Sequence, residues 1–438
     1  MRKTLFSLLT LFVVASFLLA ACQTPAATET QPAETSPAET APAGAVTEPT
    51  KPAATAPETQ ATKAVPETPA ASGAAVKISI WHGYIETEEK LFSQTVTDFM
   101  TANPNITIDL LAVPFDQLQN KFQTEAASGG GPTIIMGPQD RMAGYATADL
   151  LAEIDGSAAF LKDLVPASVE GGKVNGKLVG VPVNNKVVAM VYNKSKVTTE
   201  PKDFDELLTM AADNGLAITA DWFHNYMWGP AFGAKFFDEN NKVVIDSPEG
   251  AEAYAYFKKV CESKGVTCDS NDGDMDTLFR QGEAAFRIQG PWASGDFIAD
   301  LGADNVGVMA IPTIPGKAAP RPWNQSEMAS LNVNATPEEV TAAMKFIEYL
   351  TSADVQAKFL NEANWIPANA SVDTASNPVV GGFLAQVPNS DPFPVVPELG
   401  ATWDPMGNAM TQILEGVAEP QAALTEAANL INTTNNKQ

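Results

Sequence analysis

Two histidines and three cysteines in 438 residues leave little material for the commonest metal and nucleophile sites. His82 and His224 have no second histidine nearby, so neither a zinc cluster nor a Ser-His motif follows from spacing. Basic residues are scarce as well. Lys and Arg number 27 against 52 Asp and Glu, a net charge of −25. That balance excludes nucleic acid as a partner, because phosphates need Lys and Arg, and it excludes charge-driven adhesion to an anionic membrane. Solubility accounts for it. A phosphate loop is missing too: Gly171 to Lys177 has the spacing, but Leu178 stands where a Ser or Thr must ligate magnesium. The acidic run 269–274 has its glycine one place early and Arg280 where a calcium loop needs a bidentate acid, which leaves a solvated acidic turn. Composition does not exclude a glycosidase, whose two carboxylates any acidic chain can supply. No repeat of fixed period is present.

The one long apolar run, residues 5–19, is too short to span a bilayer comfortably. It follows Arg2 and Lys3 and ends in Leu19-Ala20-Ala21-Cys22, so residues 1–21 read as an export signal. The small residues leading directly to Cys22 resemble a bacterial lipobox, which implies cleavage before Cys22 and a lipid on its thiol. From there to residue 75 the chain is almost entirely Ala, Pro, Thr, Glu, Ser and Gln, without an aromatic. Such a segment cannot bury enough apolar surface to offset its ordering entropy. Its prolines favour an extended chain of about 3.1 Å per residue, a tether of at most roughly 160 Å. Cys261 and Cys268 close a short loop after a helical pattern, and outside the cytoplasm two such thiols are candidates for a disulfide.

From Val76 onward there is chain enough for two ordinary domains. Residues 76–81 alternate as a strand, 86–102 carry Leu91, Phe92, Val96, Phe99 and Met100 at helical spacing, and 106–112 alternate again. A helix over 115–127, a Gly-Gly-Gly-Pro break and a strand over 133–136 complete a β-α-β-α-β pattern, the mark of a parallel sheet with covering helices. Farther on, 174–182 reads as a hairpin turning at Asn175-Gly176. Helices are expected at 203–213, 247–264, 275–281, 337–350 and 353–362, with a buried strand at 284–289.

A set of aromatics falls at loops and helix starts: Trp222, Tyr226, Trp228, Trp292, Trp323, Trp365 and Trp403. A sugar has an apolar face of C–H groups and an edge of hydroxyls; flat rings cover the first, and Asp, Asn, Arg and backbone groups bond the second. Each offset ring contact adds about 0.5–1.5 kcal/mol beyond area burial. Trp292 has the most telling frame. Gly290-Pro291 turns the backbone out of the strand, Ala293, Ser294 and Gly295 leave the indole uncovered, and the helix start supplies free N–H donors.

Several segments in fixed order carry a resemblance. They are Ser128-Gly-Gly-Gly-Pro-Thr-Ile-Ile-Met136, the stretch from Asp140-Arg141 to Asp155, Asn175-Gly-Lys-Leu-Val-Gly-Val-Pro182, Val191-Tyr-Asn-Lys194, Phe279-Arg-Gln-Gly-Glu-Ala-Ala-Phe286 and Gly290-Pro-Trp-Ala293. Together they resemble the extracellular solute-binding proteins of ABC importers, in particular the maltose/maltodextrin-binding family, across the whole chain from Lys77. The resemblance implies an α/β fold of two lobes, the periplasmic-binding-protein fold, with a hinge and a ligand cleft between lobes. It places lobe 1 at 76–184 plus 328–378 and lobe 2 at 185–327 plus 379–438. The crossings fall near 182–185, near 324–328 and near Pro378.

By the same resemblance Trp292 and Trp403 match stacking tryptophans, Tyr226 a stacking tyrosine, and Asp140 with Arg141 a pair that bonds sugar hydroxyls. His82, Lys186 and Trp323 join the ligand set. Two departures bear on the ligand. Lys186, after Asn184-Asn185, stands where the maltose-binding pattern has an acid. The loop after Trp81 lacks an Asp-Lys pair, and Gly137-Pro138 replaces an aromatic before Asp140. An oligosaccharide of maltodextrin type remains the expected ligand, captured without catalysis, cofactor or metal by a monomer and delivered to permease subunits. The expected location is extracytoplasmic, with the membrane reached through the lipid anchor only. The alternatives are a surface glycan-hydrolysing enzyme and a polymer-binding adhesion lipoprotein; within the family, glycerol phosphates are another ligand class.

Overall fold

A computed structural model describes residues 74–437; the export signal, Cys22 and nearly all of the tether lie outside the described residues. The chain opens with β1 (Val76–His82), α1 (Glu86–Ala102), β2 (Ile106–Ala112), α2 (Phe115–Ala127), β3 (Ile134–Pro138) and α3 (Gln139–Thr147). The helical spacing read in α1 is what buries Leu91, Phe92, Val96 and Phe99, and Asn103-Pro104 stops it because proline cannot continue a helix. A small hairpin follows, Lys173–Val174 against Lys177–Leu178. Asn175 and Gly176 both have positive φ there, as a two-residue primed turn requires.

Next come β4 (Val181–Val187), β5 (Ala189–Asn193), α4 (Phe204–Asn214), β6 (Leu216–Thr219), α5 (Trp222–Asn225), α6 (Pro248–Cys261), β7 (Val266–Asp269), α7 (Asp272–Arg280), β8 (Phe286–Gln289), α8 (Ser294–Leu301) and β9 (Val306–Met309). The last stretch holds β10 (Trp323–Leu331), α9 (Pro337–Leu350), α10 (Ala353–Ala363), β11 (Ile366–Pro367), α11 (Pro378–Gln386), β12 (Asp391–Pro392), α12 (Trp403–Leu414) and α13 (Pro420–Thr434). Start signals legible in sequence act as caps: Asp203 accepts the Glu206 N–H, Ser247 that of Gly250, and Thr336 with Glu339 forms a reciprocal capping box.

Two sheets define two lobes. The first runs β11-β4-β10-β3-β1-β2, with β12 added beside β10, and the second runs β9-β5-β8-β6-β7. In the first, β1 pairs β2 and β3 in parallel while β10 runs antiparallel to β3 and β4. In the second, β6 is parallel to β7 and β8, and β5 is antiparallel to β8 and β9. Lobe 1 is cored by residues such as Ile80, Phe92, Phe99, Met136, Val181 and Phe346, and lobe 2 by Phe204, Ile218, Trp228, Phe257, Phe286 and Met410.

The chain crosses between sheets three times, and two crossings lie away from their expected positions. β4 stays in the first sheet through Val187 because Asn184 to Val187 pair with Glu327 to Asn324 on β10, and β5 joins the second sheet at Ala189. The first crossing is therefore Val188. The second lies between Met309 and Trp323, since β10 belongs to the first sheet from its first residue. After β11 the chain returns at Pro378, where α11 packs on β9 and β5. Cys261 and Cys268 are joined in the structure, tying the end of α6 to β7 with a Cα separation of 5.6 Å. Among the described residues no helix is long and apolar enough to cross a membrane.

Candidate functional site

The carboxyl ends of the parallel strands β6 and β8 carry the lobe 2 residues of the candidate site, the edge at which such sheets commonly bind ligands. After β8 the chain turns at Gly290-Pro291 and Trp292 enters a short 3₁₀ turn leading into α8. The indole folds back against Gly290: a Cβ there would lie 2.0 Å from its Cζ3. Only glycine permits that approach, so residue 290 sets the plane of the ring.

Trp292 is half-buried and heads an aromatic row. Its ring centre lies 6.1 Å from that of Phe223, which in turn is 6.4 Å from Trp323. Trp323 then contacts Phe393 at 4.8 Å and Trp403 at 6.2 Å. Trp403, at the first residue of α12, is also half-buried and lies nearly parallel to Phe393. The two tryptophans thus stand at the ends of one aromatic row, joined through the buried Trp323, and pack on the same lobe 2 core.

A polar chain, buried at His224, Gln289 and Arg287 and open to water at Asp221 and Asp272, lies beside this row. The Asp221 carboxylate bonds His224 Nδ1 at 2.9 Å, and His224 Nε2 meets Gln289 Oε1 at 3.1 Å. Gln289 accepts the Gly290 N–H at 2.9 Å and donates to Asp272 and Asp276. Arg287, fully buried on β8, joins both carboxylates and caps the Ile288 carbonyl. Asp272 keeps some access to water, as a turn residue is expected to, but folding also turns it toward the buried Arg287 guanidinium, which it shares with Asp276. Sequence spacing gave no sign of this, because 15 residues separate Asp272 from Arg287.

Burial pulls the His224 ring toward neutrality, but Asp221 and Asp272 outweigh it and raise its pKa to about 9, against the opposing Arg287. A group raised on folding contributes stability that is complete below its unfolded pKa of 6.5 and is lost as pH rises through 9. Replacing His224 with Gln should accordingly flatten the fall of melting temperature between pH 6.5 and 9. Parallel profiles for both proteins, measured by calorimetry, would refute the charged state.

Lobe 1 contributes its polar groups near the crossing strands. Lys186 on β4 and Glu327 on β10 form a buried ion pair of 2.6 Å, and Lys186 Nζ stands 5.6 Å from the Trp292 ring. Burial would discharge Lys186, yet Glu327 and Glu88 hold its pKa above the ordinary value. Glu88, which accepts the Trp365 indole N–H, is pushed by burial to about 7 despite Lys186. Asp140 in the first turn of α3 is raised by burial to about 7 despite Arg141. Tyr84 Oη, both Asn184 amide atoms and Gln325 Oε1 here, and Ser294 Oγ on α8 of lobe 2, are buried without a protein partner, as are Trp222 Nε1 and Tyr256 Oη in the lobe 2 core. Buried polar groups are nearly always bonded, so each of these seven atoms calls for a water or ligand partner.

The lobes also meet away from the crossings. Thr87 Oγ1 donates to Asp296 of α8 at 2.6 Å, and Arg280 bonds Glu86 at 3.2 Å.

The expected site residues fall into four groups. Trp292 and Trp403 are half-buried at the ends of the aromatic row, Trp323 is buried within it, and Lys186 stands beside Trp292 alone. Tyr226 lies beneath it, its ring 4.1 Å from Trp323 and nearly parallel, its hydroxyl donating to Asp391 at 3.0 Å. Asp140 and Arg141 sit on lobe 1, where Arg141 stacks on Phe115. His82 is elsewhere: it packs against Tyr84 and Phe92 in the lobe 1 core, and its Nδ1 accepts the Tyr84 N–H at 3.2 Å. Trp222, Trp228 and Trp365 are core residues at 2% exposure or less. Among the described residues no group of His, Cys, Asp and Glu could hold a metal ion.

A family model described as bacterial extracellular solute-binding protein matches residues 94–380. The chain belongs to this family. Among relatives of this solute-binding protein, a maltotriose-binding protein of Pyrococcus abyssi is 28% identical over 371 residues, covering 80% of each chain. A maltooligosaccharide ABC transporter solute-binding lipoprotein of Streptococcus pneumoniae is 27% identical, covering 72% of this chain and 79% of its own. In structure, the maltose/maltodextrin-binding domain of Bdellovibrio bacteriovorus bound to maltotriose superposes with a TM-score of 0.76 at 25% identity, over 82% of this chain and all of the other. The fold is thus the two-lobe fold of periplasmic binding proteins.

Proposed function

We propose that this protein captures a maltodextrin-type oligosaccharide between its lobes and hands it to the permease of an ABC importer, catalysing nothing itself. The observation that carries the reading is the half-exposed Trp292 ring with a buried Lys186–Glu327 pair beside it: an apolar platform next to charged hydroxyl-bonding groups. A pyranose offers those two surfaces, and a ligand contacted by both lobes favours the closed state over the open one. The sugars named for the relatives in Pyrococcus abyssi and Streptococcus pneumoniae support the same class. Cys22 carries the lipid, and the tether lets a monomeric body search for its permease outside the cytoplasm.

Calorimetry of the purified chain with maltose, maltotriose and maltotetraose tests this. Binding is expected in the micromolar range, about −8 kcal/mol. At a hundredfold excess over Kd the ligand should stabilise the fold by about 2.7 kcal/mol and raise its melting temperature. No heat and no thermal shift with any of the three would overturn the reading, and release of reducing ends would make the protein an enzyme instead.

A further inference from the structure

The start of α1, in lobe 1, is completed by lobe 2. The helix has no cap of its own: Ile85 offers its N-terminus no side-chain acceptor and is 65% exposed. Glu86 then opens it at φ +46°, a left-handed conformation that residues other than Gly, Asn and Asp rarely adopt. The first four N–H groups of a helix find no partner within it. Here an acceptor reaches across from α8. Asp296 Oδ1 accepts from the Thr87 hydroxyl at 2.6 Å and from the Thr87 N–H at 3.4 Å. Gly295 permits the approach, since a Cβ there would stand 2.9 Å from Thr87 Cγ2.

A second contact lies beside the first. Arg280, the last residue of α7, bonds Asp300 of its own lobe and reaches the Glu86 carboxylate of lobe 1 at 3.2 Å. The guanidinium answers a local excess of negative charge. Burial raises the Asp296 pKa above its ordinary value, Thr87 opposes that rise, and the charge of Glu86 adds to it. Both contacts lie on α1, α7 and α8 and not on the three crossings, so hinge motion of the lobes can break them. Arg280 and Glu86 keep access to water, and an exposed ion pair contributes little by itself. Capping a helix end contributes more. Together they are strong enough to bias closure and weak enough to release. Asp296 also follows Trp292 by about one turn of chain, so the segment that carries the ring carries the contact.

We infer that Asp296 and Arg280 form a latch that draws lobe 2 onto the start of α1 without any ligand, so that part of closure is built into the chain. A ligand that binds the closed form then gains in proportion to the fraction already closed, whatever its length. This consequence for affinity rests on the oligosaccharide reading above; the latch itself does not.

Small-angle X-ray scattering of the unliganded full chain tests the latch, with residues 1–73 common to every sample. The wild type should have a smaller radius of gyration than Asp296→Ala and Arg280→Met, and maltotriose should contract the two variants more than the wild type. Thr87→Ser, which keeps the hydroxyl, should match the wild type. In calorimetry Asp296→Ala should bind maltose, maltotriose and maltotetraose more weakly by one common factor, about three- to tenfold. Equal radii for the unliganded wild type and both variants would overturn the latch, whether or not any sugar binds. A loss in Asp296→Ala that grows with sugar length would overturn it too, making Asp296 a ligand contact. A wild type that binds none of the three sugars, with both unliganded variants expanded, would overturn oligosaccharide capture and support the latch.

Discussion

Trp292→Ala is expected to weaken oligosaccharide binding by at least about tenfold, roughly 1.4 kcal/mol, with little change in melting temperature. The ring is half-buried and stands on Gly290, so its removal takes away a platform more than a piece of core. Truncation also withdraws the aromatic face from Lys186, whose ammonium lies 5.6 Å from it. Buried aromatic anchors dominate many interfaces because they cover much area at small entropic cost. Gly290→Ala should approach the same loss by another route, since the added methyl occupies the space of the indole and forces the ring away. Titration calorimetry on both variants decides the matter. Unchanged affinity in Trp292→Ala would remove that residue from the site.

The second large effect concerns stability. Arg287→Met should destabilise lobe 2 by about 3 kcal/mol, the lower end for breaking a buried ion pair, because Asp272 retains some access to water. The substitution leaves Asp272 and Asp276 facing each other with only His224 to balance them, and it strips the cap from the Ile288 carbonyl. A fall in melting temperature of roughly 5 °C is expected. Adding Asp276→Asn should restore part of the loss, because one of the two orphaned charges is then gone. A double variant no more stable than the single one would show that packing, not charge, is what Arg287 supplies.

Much of the secondary structure was legible because its signals are local. The apolar spacing of Leu91 to Phe99, the Thr336-Pro337 start of α9 and the Asn175-Gly176 turn each depend on residues within one or two turns of chain. The frame of Trp292 was legible for the same reason: Gly290 and the small residues after it are its sequence neighbours. Tyr226 and His82 were harder. Each looks like a loop or strand-end residue facing a cleft, and each is claimed by a neighbour from far along the chain or from the lobe core, Asp391 and Trp323 in one case and Phe92 in the other.

By itself the sequence determined the two kinds of chain present, an apolar run followed by an Ala-, Pro- and Thr-rich segment with little to bury and then an alternating α/β body, because burial capacity and helical or strand period are properties of composition and spacing. It also determined the Gly290-Pro291 turn on which the half-buried Trp292 stands. Only the tertiary structure decided which charges meet. Lys186 and Glu327 are 141 positions apart and become partners because β4 and β10 lie side by side. Arg287 finds Asp272 because α7 follows β7 onto the same sheet. Such pairings depend on the order of strands in a sheet, which spacing along the chain does not encode.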